Sequence, residues 1–160
     1  MDLIPIKDYE GLYSFDKNTN QVYSHIRKRY LTIFFKRYCS VRLFKNGKLK
    51  FYTFHRLVYQ IYYPDIDISN LDIDHIDNNP KNNNIENLRH CNKSQNSCNK
   101  KIYKTNTSGH KNIFITPYNT FVVQINIYNK KYTKTFKTLD EALIHKEIKL
   151  NELHGEFANL

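Results

Sequence analysis

One segment in the middle of this 160-residue chain concentrates side chains that could do chemistry. It runs from residue 72 to residue 99 and reads DIDHIDNNPKNNNIENLRHCNKSQNSCN. Asp74 and His75 stand next to each other near its start, and Asn87 and Asn96 follow. Carboxylate and amide oxygens are hard ligands that suit Mg²⁺ or Mn²⁺, and an imidazole can take up a proton near neutral pH. These residue types predict a site where a divalent cation and a base act together.

Hydrolysis of a phosphodiester bond needs that combination. It requires an attacking water, a group that takes the proton of the water, and positive charge where the leaving oxygen becomes an anion. We expect Asp74 and Asn96 to bind Mg²⁺ or Mn²⁺ and His75 to act as the general base. A histidine base also predicts a rate that rises through roughly pH 6 to 7.5, since only neutral imidazole accepts a proton.

The local pattern predicts the elements that position these residues. Residues 71–75 have the character of a strand, a long Asn-rich loop runs through Asn84, and a second short strand lies around residues 88–90. Adjacent strand residues point to opposite faces, so Asp74 and His75 can flank a scissile phosphate. A helix is predicted from about Asn92, because Asn92 and Gln95 have the spacing of a capping box. Folding must then bring Asn96, on this helix, back towards the strand.

Other interpretations of these residues are open. An Asp–His pair is commonly a polar pair at the end of a strand, and an Asn-rich loop is commonly only a loop. His90, Cys91 and Cys98 could suggest zinc, but the sequence has no Cys-x-x-Cys pair, and free thiols are favoured. His55, at the start of a predicted helix, is interpreted as a structural or packing residue, with a phosphate contact as the alternative.

Residues 55–99 resemble the HNH homing-endonuclease family, whose ββα-metal fold carries a pattern similar to DHIDxNPxNNxxENLR followed by an Asn in the helix. The resemblance implies that Asp74 and Asn96 bind the metal and that His75 activates water. Asn87 corresponds to the middle Asn, which would bond across the loop and hold the site and the His ring in place. The implied reaction uses one metal ion and leaves a 5′-phosphate and a 3′-hydroxyl.

The flanking regions carry further resemblances. Residues 4–24 resemble the NUMOD-type module that often precedes such nucleases, on the segments Tyr9-Glu10-Gly11-Leu12-Tyr13 and Val22-Tyr23-Ser24. Residues 107–160 resemble the APETALA-type DNA-binding domain, in which a three-stranded sheet lies against DNA. The usual Trp and Arg of its central strand are replaced here by Phe121 and Gln124. The alternative is a sheet and helix that only stabilise the fold.

Periodicity predicts the remaining elements. Asn46-Gly47 favours a tight hairpin turn between two β-rich runs, and a helix is expected over residues 55–63 before Pro64. Residues 121–127 alternate as a strand buried on one face, with a partner strand at residues 132–136. Thr138 and Glu141 predict the start of a final helix. Its apolar stripe would comprise Leu139, Leu143, Leu150 and Leu153, with Gly155 at its end.

Charge indicates a polyanionic partner. The chain has 25 Lys plus Arg against 15 Asp plus Glu, a net charge of +10, and binding of cations to phosphates releases counterions. We expect double-stranded DNA as the partner, a monomer on DNA, and no membrane insertion. The segment at 100–108 could follow a phosphate backbone or be a solvated tether. The candidate contact residues are Arg89, Lys100, Lys101, Lys104, Lys111 and Gln124.

The sequence as a whole predicts an α+β protein of small modules, with a central ββα-metal nuclease fold. The expected divisions are a β-rich module at 1–54, a nuclease domain at 55–99, a basic linker at 100–108, and a three-stranded sheet plus helix at 109–160. An intracellular location is expected, because the first residues do not resemble a signal peptide. A DNA- or RNA-binding regulator that does not cut and a restriction or defence nuclease are the alternative functions.

Overall fold

The computed structural model describes residues 2–93, 95–96, 102, 106–127 and 130–154. The chain divides into two compact units, residues 1–90 and 91–160. Each contains its own buried apolar cluster. No helix within the described residues has the length and apolar character needed to cross a bilayer.

The first unit begins with a four-stranded antiparallel sheet in the order β1-β2-β3-β4. The strands are β1 (Leu3–Pro5), β2 (Tyr13–Asp16), β3 (Gln21–Ser24) and β4 (Arg29–Tyr30). All four residues of β2 are buried, because this strand has a neighbour on each side and packs against the core. The β-rich character predicted for the first 54 residues is confirmed.

A three-stranded sheet follows, formed by β5 (Phe34–Phe35), β6 (Cys39–Lys45) and β7 (Lys48–Thr53). Asn46 and Gly47 link β6 to β7 with φ of 51° and 74°, the positive values that a type I′ turn requires. The predicted hairpin is therefore confirmed. β5 covers only the end of the apolar run at residues 31–35.

The rest of the first unit supplies the region that the sequence singled out. Helix α1 (Phe54–Tyr62) starts directly after β7. Strand β8 (Asp72–His75) pairs with β9 (Leu88–Cys91), and a 3-10 turn at Ile85–Asn87 precedes β9. The predicted order of helix, strand, loop and strand is confirmed, and the 3-10 turn is an addition to it.

One apolar core runs through the first unit. It joins Phe15 and Val22 of the first sheet, Val41 and Leu43 of the second, and Val58 of α1, all fully buried. Ile73 of β8 and Leu88 of β9 belong to the same core. The strands that carry the candidate site are therefore anchored in the main hydrophobic cluster of this unit.

The second unit contains a three-stranded antiparallel sheet and one long helix. The strands are β10 (Ile113–Ile115), β11 (Phe121–Ile127) and β12 (Lys130–Phe136), in that order. Helix α2 (Leu139–His154) packs on one face, so that Val123, Ile125 and Leu150 form an apolar cluster. The strands, the helix and its four-leucine stripe are as predicted, and the α+β fold class is confirmed.

A capping box starts α2, as the sequence predicted. The backbone N–H of Glu141 donates to Thr138 Oγ1 at 3.3 Å, and the backbone N–H of Thr138 donates to Glu141 Oε2 at 3.4 Å. Two N–H groups near the helix start are thereby satisfied. Gly155, the predicted end of the stripe, lies outside the described residues.

Candidate functional site

Strand β8 holds Asp74 and His75 in a buried position. Asp74 is 8% exposed and His75 is 6% exposed. Ile73 fixes the strand by packing into the apolar core, while the two polar side chains have separate sets of partners. Buried polar groups need hydrogen-bond partners, so the contacts of these two residues define what the site can do.

Arg56 of α1 sets the path of the chain into β8. Its guanidinium donates to the backbone carbonyls of Ile68 at 2.6 Å and Leu71 at 2.7 Å. These two bonds tie the helix to the loop immediately before the strand. The position of Asp74 and His75 therefore depends on a side chain 18 and 19 residues earlier.

The carboxylate of Asp74 faces Arg89 of β9. Both Nε and Nη2 of Arg89 donate to Asp74 Oδ2 at 3.2 Å. The two side chains are 18% and 9% exposed, so this ion pair is largely removed from water. Arg89 was a candidate for contacting a DNA phosphate, and here it neutralises the acidic residue of the site.

The imidazole of His75 faces Asn83, which lies eight residues later in the Asn-rich loop and is 4% exposed. His75 Nε2 and Asn83 Oδ1 are 3.2 Å apart. The amide group of Asn83 also donates from Nδ2 to the backbone carbonyl of Lys81 at 3.0 Å. The loop thus folds back and places an amide oxygen on the histidine ring.

Two further rings surround His75. The centroid of the His55 ring is 5.0 Å from that of His75, and Tyr38 lies nearly parallel to His75 at 6.4 Å. The pKa of His55 is lowered to about 4, chiefly by burial and in smaller part by the positive charges that His75 and Arg56 can carry. Nδ1 of His55 is buried without a hydrogen-bond partner. A neutral aromatic wall therefore flanks the candidate base.

Asn87 closes the loop that begins after His75. Its Oδ1 accepts from the backbone N–H of Asp77 at 3.0 Å, and its Nδ2 donates to Asp77 Oδ1 at 2.9 Å and to the carbonyl of Asn82 at 2.8 Å. The backbone N–H of Ile76 also donates to the carbonyl of Asn87 at 2.9 Å. Asn87 therefore ties the two ends of the loop together.

The carboxylate of Asp77 is the second anchor of this loop. Burial raises its pKa, but hydrogen bonds from Asn82, Asn79 and Asn87 and the nearby His75 outweigh that effect, so the pKa is lowered overall. The charged form is the one that accepts these bonds. The Asp77 carboxylate thus stabilises the turn by accepting hydrogen bonds from the backbone N–H of Asn79 and from the side-chain amides of Asn82 and Asn87.

Asn96 lies in the second unit, at the start of a helical segment. The backbone N–H of Asn92 donates to Gln95 Oε1 and that of Gln95 donates to Asn92 Oδ1, each at 2.9 Å, so the predicted capping box is confirmed. The backbone N–H of Asn96 donates to the carbonyl of Asn92 at 2.9 Å. Its place beside Asp74 as a metal ligand stays a prediction.

The candidate DNA contacts of the second unit can be placed in part. Gln124 pairs with Thr133 across β11 and β12, on the opposite face from Val123 and Ile125, which contact α2. Lys111 is half-buried. Three further candidates lie outside the described residues, namely Lys100, Lys101 and Lys104.

The residues considered for zinc have other surroundings. His90 Nδ1 is 2.7 Å from the hydroxyl of Tyr59, and Cys91 is a buried free thiol. Cys98 lies outside the described residues. Within the part of the chain that the structure describes, no three His, Cys, Asp or Glu side chains form a group able to hold a metal ion.

Sequence reasoning missed Asn83, Arg56 and Tyr38 as parts of this site. Asn83 stands in a run of three Asn residues. The pattern DHIDxNPxNNxxENLR includes Asn82 and Asn83 but not Asn84, and only the folded loop shows that Asn83 is the one that reaches His75. From the sequence, Arg56 can be identified only as a positively charged residue on a predicted helix. Its position after His55, at the start of the predicted helix, could be read from the sequence. The carbonyl groups that its guanidinium contacts, those of Ile68 and Leu71, could not.

Two comparisons bear on the function. Residues 52–98 match the family model described as HNH endonuclease, a span that includes β8, the loop and β9. The chain is also similar to a solved structure described as DNA binding and cleavage by the HNH homing endonuclease I-HmuI. The TM-score is 0.55 at 26% sequence identity, over 91% of this chain and 83% of that chain. No curated protein matches the sequence at a significant level.

Proposed function

We propose that this protein is an HNH endonuclease that hydrolyses phosphodiester bonds in double-stranded DNA, with His75 as the general base. The observation that carries the proposal is the buried Asp74–His75 pair on β8, inside the residues that match the HNH endonuclease model. Similarity to a homing endonuclease over most of the chain supports DNA as the substrate. So does the net charge of +10.

The proposed ligands are oxygen donors, which suit a hard divalent cation. Asp74 supplies a carboxylate, and Asn96 is the proposed second protein ligand with an amide oxygen. Oxygen ligands of this kind suit Mg²⁺ or Mn²⁺, with water and DNA phosphate oxygens as the remaining ligands. When bound, the cation would stabilise the negative charge on the departing 3′-oxygen.

The protein's own residues perform the other tasks. His75 takes the proton from the attacking water, which makes the oxygen a better nucleophile for the phosphorus. The P–O bond to the 3′-oxygen breaks, and the products are a 5′-phosphate and a 3′-hydroxyl. Arg89, which donates two hydrogen bonds to Asp74 Oδ2, holds the carboxylate in a fixed orientation on β8.

Asn87 and Asp77 act by positioning. Their hydrogen bonds close the loop at residues 76–87 and so fix the end of β8, where His75 lies. A loop that opened here would let the imidazole move by more than the fraction of an ångström that catalysis tolerates. We therefore assign Asn87 to the support of the base.

The second unit would hold DNA through the sheet face that α2 leaves uncovered. Gln124 and its cross-strand partner Thr133 lie on this face. Asn126, two residues further along β11, and its partner, the exposed Lys131, lie on the same face. Polar and cationic side chains on a sheet can contact phosphates and base edges. The apolar residues of the opposite face are already used by the helix.

The test is incubation of supercoiled plasmid with the full-length protein and Mg²⁺, followed by the same reaction with a chelator. We expect nicked or linear products with Mg²⁺, loss of cleavage with the chelator, and 5′-phosphate ends on the products. DNA binding without any cleavage, across Mg²⁺ and Mn²⁺, would contradict the proposal and favour a regulatory binding protein. An Asp74→Asn variant should still bind DNA but cut it far more slowly.

A further inference from the structure

We propose that Arg37, in the turn between β5 and β6, binds a phosphate of the DNA strand that His75 cuts. The bound phosphate is a neighbour of the attacked one, so Arg37 holds the substrate and takes no part in the chemistry. The identity of the ligand as DNA rests on the function proposed above. The turn itself lies outside residues 52–98, the span that matches the HNH endonuclease model.

The turn stands beside the candidate base. Tyr38, its last residue before β6, lies nearly parallel to the His75 ring, with 6.4 Å between the centroids, and is 5.2 Å from the His55 ring. The backbone N–H of Lys36 donates to the carbonyl of Tyr38 at 3.3 Å and closes the turn. The turn therefore has a defined position relative to His75.

The guanidinium of Arg37 lies one ring further out. Its central carbon is 5.6 Å from the centroid of the Tyr38 ring, so two ring contacts separate it from His75. In the proposed reaction His75 acts on the attacked phosphate across one water. A cation further away reaches a neighbouring phosphate of the strand. Arginine suits this task, because its planar guanidinium can donate to two phosphate oxygens at once.

The side chains of the turn are accessible to a ligand. Arg37 is exposed, and Tyr38 keeps 40% of its surface exposed despite its ring contacts. Among the described residues, no carboxylate forms an ion pair with Lys36 or Arg37. Arg89, in contrast, is paired with Asp74. The positive charge at the turn is therefore the one that can attract a phosphate from solution.

The surrounding segment favours a polyanion. No Asp or Glu occurs between Asp16 and Asp65. The same stretch contains 11 Lys and Arg residues, which exceeds the net charge of +10 of the whole chain. A DNA backbone that approaches the turn would meet no carboxylate from this stretch, and the local excess of cations would attract it.

Lys81 supplies a second cation, from the loop that follows His75. It precedes Asn83, which contacts the His75 ring, by two residues, and its Nζ lies 4.6 Å from the centroid of the Phe35 ring in β5. Lys81 is exposed. The loop and the turn thus meet at β5, and each has a cation close in sequence to a side chain that contacts the base.

The first test measures DNA binding by the full-length protein, without Mg²⁺, at several salt concentrations. Loss of one phosphate contact should reduce the slope of log K against log salt by about 1. We expect this reduction for Arg37→Gln, whereas Arg37→Lys keeps the charge and should retain most of the slope. Lys7→Gln is the control with the same change of charge, since Lys7 lies near the carboxylate of Glu10. Equal slopes for Arg37→Gln and Lys7→Gln would overturn the proposal.

The second test locates the phosphate on a duplex that the wild-type protein cuts. Ethylation removes the charge of single phosphates, and the molecules that stay unbound identify the phosphates needed for binding. We expect the wild type to need a phosphate next to the cut position on the cut strand. Arg37→Gln should be insensitive to ethylation at that phosphate. The same interference pattern in both proteins, or a change only at a distant phosphate, would contradict the assignment.

Cleavage kinetics separate direct binding from an effect on the base through Tyr38. A contact made equally in the ground state and the transition state raises KM and leaves kcat almost unchanged. We therefore expect Arg37→Gln at saturating concentration to cut within about twofold of the wild-type rate. A large fall of that rate with unchanged DNA affinity would mean that Arg37 acts by positioning Tyr38, against the proposal.

These outcomes are independent of whether the protein is a nuclease. The salt dependence is measured without cleavage, so it tests the phosphate contact of Arg37 even if the wild-type protein does not cut DNA. Cleavage by the wild type, with equal salt slopes for Arg37→Gln and Lys7→Gln, would leave the nuclease standing and refute the role of Arg37. Circular dichroism of each variant checks that the fold is retained, as expected for an exposed residue in a turn.

Discussion

The two units bury different kinds of side chain. The described part of the first unit buries seven polar residues, namely Ser14, Asp16, Ser24, His55, Asp74, His75 and Asn83, whereas Lys146 is the buried polar residue of the described second unit. Burying a polar group is costly unless it is bonded, so such groups mark places where function opposes stability. Four of the seven, namely His55, Asp74, His75 and Asn83, belong to the candidate site, whereas the buried cluster of the second unit is apolar.

The largest expected effect comes from a substitution that creates a cavity in the apolar core of the second unit. Leu150→Ala should lower the free energy of unfolding by about 2–5 kcal/mol, because this leucine is 2% exposed and its loss leaves a void. Chemical denaturation of the full-length protein measures the change. Ile148→Ala, on the same helix but 53% exposed, is the control and should change stability far less. Similar effects of both variants would mean that packing does not define this unit.

A second test concerns the buried imidazole of the first unit. The pKa of His55 is lowered to about 4, chiefly by burial and further by His75 and Arg56, whereas an unfolded imidazole titrates near 6.5. Only the unfolded state binds the proton between these values, so the free energy of unfolding should fall as pH drops through that window. At about 1.4 kcal/mol for each pKa unit, the loss is up to about 3 kcal/mol.

Denaturation curves across that pH range measure the effect, with His55→Phe as the matched variant. Phe keeps a ring beside Tyr38 and His75 but cannot be protonated. The dependence on pH should therefore be weaker in His55→Phe than in the wild type. Parallel curves for the two proteins would show that His55 does not titrate as its burial implies.

A smaller effect is expected at the loop that closes the site. Asn87→Ala removes the bonds to Asp77 and to the Asn82 carbonyl, and cleavage should slow by about 10- to 100-fold. Single-turnover cleavage with saturating protein measures this step apart from DNA binding. An unchanged rate would mean that the loop holds its shape without Asn87.

The smallest effect is expected at the start of α2. Thr138→Ala removes the side chain that accepts the N–H of Glu141, which should cost about 1 kcal/mol of stability. Thr135→Ala, an exposed residue on β12, is the comparison and should have little effect. Thermal melts of both variants provide the measurement, and equal melting temperatures would contradict a stabilising cap.

Local features could be predicted from the sequence because their causes lie within a few residues. The Asn46-Gly47 turn needs two positive φ angles, and the capping boxes at Asn92 and Thr138 need one side chain three positions from another. The alternation of β11 likewise depends only on which face is buried. The extent of β5 was less predictable, because only Phe34 and Phe35 of the apolar run at residues 31–35 pair with β6.

The partners within the site could be predicted less well. Asp74 and His75 were identifiable by type and by the HNH resemblance, but five Asn residues lie between positions 78 and 84, and composition cannot rank them. The one that reaches His75 is Asn83, because the loop turns back at that point. The pairing of Arg89 with Asp74 likewise requires knowledge of how β8 and β9 face each other.

Single-turnover cleavage of plasmid DNA by the wild type and by His75→Ala, with Mg²⁺ and saturating protein, tests the base assignment most directly. We expect the variant to bind DNA normally and to cut about 10²- to 10⁴-fold more slowly, the usual contribution of a general base. His25→Ala is the control, since His25 is an exposed histidine that bonds to Ser14 in the first sheet, and it should cut like the wild type. Equal rates for His75→Ala and the wild type would contradict the assignment of His75 as the base.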